Sequence, residues 1–68
     1  MKNFLFEDTI EGGFFFVQCD TLEEAYSIIW EEIASYDGVS DEDTFTMNYD
    51  YLGSYTDVEA EIMGYDTY

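Results

Sequence analysis

Positive charge is what this chain lacks. It has no arginine and no histidine, and its single basic side chain is Lys2; against this stand seventeen carboxylates, for a formal charge of −16 on 68 residues. Each absence excludes something. Phosphate contacts need cationic groups, so direct nucleic-acid binding is ruled out. The usual general base and the phosphate clamp of phosphoryl transfer are missing, and no glycine-rich phosphate loop or nucleophile elbow occurs, so the chain does not read as an enzyme. One cysteine, Cys19, forbids an internal disulfide and leaves no Cys/His set for zinc. Proline is absent as well. No basic n-region leads into a long apolar run, and Phe14–Val17 is too short for a signal peptide or a membrane span. An anionic membrane surface would repel the protein, and the expected address is cytoplasmic.

What is abundant is aromatic. Six Phe, seven Tyr and one Trp make 21% of the chain, and each buries about 150–250 Å² when packed. A 68-residue chain makes one domain, burying only about 60% of its unfolded surface. The aromatics supply the core that no disulfide or metal staples.

Asn3–Glu7 reads as a strand and Glu11-Gly12-Gly13 as a turn. Phe14–Gln18 is a second strand, and its unbroken apolar run predicts a central position covered on both faces. Thr21 followed by Glu24 fits a capping box. It opens a helix whose buried stripe is expected to be Leu22, Ala25, Tyr26, Ile29, Ile33 and Tyr36, ending at Asp37-Gly38. Ser40–Asp43 is an acidic loop. Thr44–Leu52 alternates apolar and polar residues and predicts a third strand; Gly53-Ser54 predicts a turn; Tyr55–Met63 alternates again and predicts a fourth strand, with residues 64–68 a polar tail prone to fraying. The expectation is an α+β domain of order ββαββ: an antiparallel sheet of four strands packed on one helix.

On that layout Asp57, Glu59 and Glu61 stand on one strand face at about 6.7 Å intervals, close to the spacing of successive phosphates. Asp41, Glu42 and Asp43 extend the row, and Glu23, Glu24, Glu31 and Glu32 form a second ridge on the helix. Ordinary solvated faces mix charge signs; here they carry one. Tyr55 and Tyr65, expected to be exposed among the acids, suit an arginine-rich target through stacking and cation–π contact. Tyr49 and Tyr26 read as core. Trp30, on the helix flank, reads as core packing or as an anchor for a partner, and Cys19 as a structural thiol. Asn48, Asp50, Gly53, Ser54, Thr56 and Glu59 echo the spacing of an EF-hand loop, but Leu52 occupies a ligand position and the flanks lack helical periodicity, so no metal or cofactor is expected.

Small, very acidic, aromatic-rich domains almost devoid of basic residues resemble the nucleic-acid mimics encoded by phages and mobile elements: uracil-DNA glycosylase inhibitors, antirestriction proteins and several anti-CRISPR proteins. The likeness lies in composition and in Asp57, Glu59 and Glu61. Gly12–Glu32, a strand leading into a capped helix, is also similar to the opening unit of a class of longer antirestriction proteins. The resemblance implies an inhibitor, monomeric or homodimeric, that occupies the cleft of a basic nucleic-acid-binding host protein, with Asp57, Glu59, Glu61, Asp41, Glu42, Asp43, Glu31, Tyr55 and Tyr65 as contacts. Two alternatives remain: an acidic interaction module, antitoxin-like or an accessory subunit, that binds a basic partner elsewhere than its nucleic-acid cleft; and a halophilic-type domain whose acids serve solvation.

Overall fold

The computed structural model describes all 68 residues. Strands β1 (Lys2–Asp8) and β2 (Phe14–Cys19) form an antiparallel hairpin, with Phe4 opposite Val17 and Phe6 opposite Phe15. The Asp8 carboxylate shapes the turn by accepting from the N–H groups of Ile10 (2.9 Å) and Glu11 (3.1 Å), the local bond that favours Asp where a strand ends in a turn. Helix α1 (Leu22–Ile29) follows, capped as expected: the Thr21 hydroxyl accepts from the Glu24 N–H at 3.2 Å. It continues as a π-helical turn over Trp30–Ala34. Ala25, Ile29 and Ile33 are buried as the stripe predicted, but Tyr36 is 87% exposed. The wider turn advances the register of the stripe and brings Ala34 into the interior. Tyr36 then falls in the closing turns at residues 35–38, beyond the helix.

The second half departs from the expectation. Residues 44–48 are not strand: Phe45–Asn48 is a 3₁₀ helix that buries Phe45, with the Asn48 side-chain amide donating to the Phe45 carbonyl at 3.3 Å. Strand β3 runs Tyr49–Tyr55, straight through the expected turn. Gly53-Ser54 is instead the site of a bulge: Phe6 faces Tyr51 while Leu5 faces Gly53, leaving Leu52 as the extra residue. Gly53 has φ +136°, open to glycine and strained for other residues. Residues 57–63, expected as a strand, form helix α2 (Asp57–Met63). A full capping box starts it: the Thr56 hydroxyl accepts from the Glu59 N–H (3.2 Å), and the Glu59 carboxylate accepts from the Thr56 N–H (3.0 Å). Gly64, at φ +74°, ends it in the left-handed conformation. The tail is ordered as β4 (Asp66–Thr67), parallel to β2; Tyr68 N–H donates to the Phe16 carbonyl at 2.8 Å and its carbonyl accepts from Gln18 at 2.9 Å.

The sheet is therefore mixed, of order β3-β1-β2-β4, with one parallel pair. The architecture is α+β with two helices rather than one. Helix α1 covers one face, closing a core of Phe4, Phe6, Phe15, Val17, Ile29, Phe45 and Tyr49. Helix α2 crosses the other face between β3 and β4, and Ala60 packs on Leu5 and Phe16. This is the two-sided cover that the apolar run Phe14–Val17 required. No helix is long and apolar enough to cross a membrane.

Candidate functional site: an acidic surface with three hollows

Fourteen of the seventeen carboxylates are exposed; Glu7 and Asp37 are half-buried and Asp8 is buried. Lys2 makes no ion pair. Apart from Asp20, which lies 3.9 Å from the Met1 ammonium, the acids have no internal cationic partner, and each of the three surface hollows is lined by them.

The first hollow, about 360 Å³, lies between α1 and the 3₁₀ helix. Glu23, Tyr26, Trp30 and Glu31 come from the helix, Glu42 and Phe45 from the opposite segment. Glu23 and Glu31 lie eight residues apart, two turns along one flank. The π-helical turn begins at Trp30, and Trp30 and Glu31, adjacent in sequence, both line the hollow. Trp30 is half-buried; its ring centroid is 5.2 Å from that of Phe45, tilted at 49°. Tyr26 meets Phe45 edge-on at 6.4 Å.

The second hollow, about 650 Å³, is bounded by the β1–β2 turn, the end of α1 and β4, and contains Asp8, Glu32, Asp37 and Asp66. From the core, Tyr49 O–H donates to Asp37 at 2.7 Å. Burial, and then a hydrogen bond that the protonated Asp37 carboxyl donates to the neighbouring Asp8, push Asp37 above the usual carboxylate range, against the Tyr49 hydrogen bond; the charges of Asp8 and Glu11 act in the same upward direction. Burial and the Asp37 carboxylate push the Tyr49 phenol up in turn.

The third hollow, about 270 Å³, lies where α2 approaches β2 and β4 and contains Asp57, Glu61 and Tyr65.

The expected row of Asp57, Glu59 and Glu61 does not exist. On a helix, residues two apart diverge by about 200°. Asp57 and Glu61, one turn apart, line the same hollow, while Glu59 turns back into the capping box, where the Thr56 backbone N–H and then its hydroxyl hold the carboxyl below the usual range. Asp57 accepts from Asn3 (2.7 Å) and Gln18 (3.3 Å), so it also ties α2 to the sheet. Among Asp41, Glu42 and Asp43, all exposed, only Glu42 lines a hollow; the Asp43 N–H donates to Asp41 at 3.0 Å in a local turn. Glu31 and Glu42 come together across the first hollow. Tyr55, expected to be exposed, is half-buried against Leu5, Phe16 and Ala60, because α2 folds over it. Tyr65 keeps an exposed edge, its ring centroid 5.2 Å from that of Phe14. Tyr49 is core, as expected. Glu23 and Phe45 complete the first hollow; helical spacing places Glu23 in the helix ridge, whereas the apparent strand pattern of residues 44–52 hides Phe45.

Cys19 is buried, its thiol donating to the Thr21 carbonyl at 3.3 Å; burial and the charge of Glu24 push it up, so a nucleophilic thiolate is disfavoured. The residues echoing an EF-hand run along β3 into α2 and form no loop. Comparison with known protein families, curated proteins and solved structures finds no match.

Proposed function

We propose that this protein is a nucleic-acid mimic: an inhibitor, of the kind phages and mobile elements encode, that occupies the basic nucleic-acid-binding cleft of a host defence or repair protein. The observation that carries the reading is charge per length. A formal charge of −16 on a body 34 Å long is one negative charge per about 2.1 Å, against about 1.7 Å of axis for duplex DNA. The carboxylates occupy both helical layers, so a cleft that encloses the body meets them on more than one side. The mechanism is steric and electrostatic: carboxylates take the arginine and lysine partners of phosphates, and the long-range field speeds encounter.

The test is affinity capture from a bacterial lysate with parallel elution by duplex DNA, RNA and salt. The reading expects nucleic acid to release what salt releases; release by salt alone would refute it. The second reading, an acidic module docking away from such a cleft, draws on the gathering of Trp30, Tyr26 and Phe45 with three carboxylates in one hollow. Under that reading nucleic acid does not displace the partner.

A further inference from the structure

We propose that the hollow between α1 and the 3₁₀ helix is a receptor for one arginine side chain of the basic partner; the inference rests on the mimic reading and names its point of closest contact. The walls are aromatic, with Trp30 and Phe45 5.2 Å apart between centroids and Tyr26 edge-on behind them. The rim is anionic on both sides, with Glu23 and Glu31 along α1 and Glu42 across from them. Neither cation of this chain lines it: Lys2 lies on β1 and makes no ion pair, and the Met1 ammonium sits 3.9 Å from Asp20.

A volume of about 360 Å³ is near the lower end of ligand pockets, about 300–1,000 Å³. It suits one long side chain. Guanidinium matches both features of the hollow: its plane stacks on indole and phenyl faces, and its fork of N–H donors bonds carboxylates two at a time. An ammonium group is a hydrated point charge that uses the rings less well. Anionic ligands are repelled by the rim, and a second copy of this chain brings a further −16.

Hexa-arginine and hexa-lysine amides test this at low salt, by calorimetry and by the emission of Trp30, the only tryptophan. Hexa-arginine is expected to bind about fivefold or more tighter than hexa-lysine and to change the Trp30 emission. Glu31→Gln with Glu42→Gln should weaken hexa-arginine about tenfold or more, as loss of charge-assisted bonds does. Asp57→Asn with Glu61→Gln removes the same charge at another hollow and should cost less than about threefold. Equal losses from the two pairs, no preference for arginine, or an unchanged Trp30 spectrum would overturn the inference. The two readings fail separately: DNA-displaceable capture with a silent groove pair removes the arginine receptor alone, and an arginine-selective groove with DNA-resistant capture removes the mimic alone.

Discussion

Replacing Asp37 by Asn should stabilise the protein at neutral pH, although it alters a side chain engaged in a 2.7 Å hydrogen bond. Asp37 stands beside buried Asp8, with Glu11 adding to the same field. Neighbouring like charges near a protein surface repel by up to ~4 kcal/mol at an effective dielectric of about 20. The Tyr49 hydroxyl offsets part of this through a bond to a charged oxygen, about 1.5–3 kcal/mol. An amide at position 37 removes the repulsion, still accepts from Tyr49 and donates to Asp8, so the net gain should be about 1–2 kcal/mol. For 68 residues, with an unfolding entropy of about 2.1 cal/mol/K per residue, each kcal/mol moves Tm by about 7 °C, giving a rise of ~7–14 °C. The pH dependence follows from linkage. The folded-state pKa of Asp37 is raised above its ordinary value of 3.8, so the protonated carboxyl favours the fold. That contribution is complete below the ordinary value and is lost as pH rises through the folded-state pKa toward neutrality. Wild type should gain on acidification from pH 7, and the lead of Asp37→Asn should shrink. Thermal melts followed by circular dichroism at neutral and mildly acid pH measure both. A variant no more stable than wild type at pH 7, or a lead that does not shrink on acidification, would refute the argument.

Thr56→Ala should cost about 1 kcal/mol by removing the hydroxyl from the α2 capping box, and Thr56→Ser only a few tenths; urea titrations compare them, and equal midpoints for all three proteins would refute the role of the cap. Sodium chloride at about 0.5 M should raise Tm by screening like-charge repulsion, with a smaller rise for a variant carrying Glu23→Gln, Glu24→Gln and Glu32→Gln; equal rises would contradict this. Cys19 should react slowly with a thiol reagent in the native state and rapidly in urea, because burial and Glu24 both disfavour the thiolate; equal rates would refute its placement.

The first half of the chain was legible because local signals agree there. The glycine turn separates two apolar runs, and Thr21 with Glu24 announces the helix. In the second half they conflict. Val58, Ala60 and Ile62 alternate like a strand, yet only Ala60 is buried, and Val58 and Ile62 lie open. The competing signal, Thr56 followed three residues later by Glu59, has the form of the motif read at Thr21–Glu24, and Gly64 supplies the stop. Caps at both ends outweigh a period-two pattern over seven residues. Gly53 read as a turn because glycine marks both turns and bulges, and only the pairing with β1 distinguishes them. β4 has no strand signature: it exists through a parallel pairing with Phe15 and Phe16, about fifty residues earlier. For the site, the acidity and the aromatic partners were visible from composition, whereas the hollow joining Glu31 to Glu42 depends on a 3₁₀ helix that alternation disguised.

The central claim, that this acidic body stands in for a polynucleotide, is tested most directly by equilibrium competition on the captured partner. A fluorescent duplex bound to that partner is titrated with this protein at several duplex concentrations. The account predicts mutually exclusive binding, with the apparent affinity for the protein weakening in proportion to the duplex present. A ternary complex holding the partner, the duplex and this protein together would contradict it.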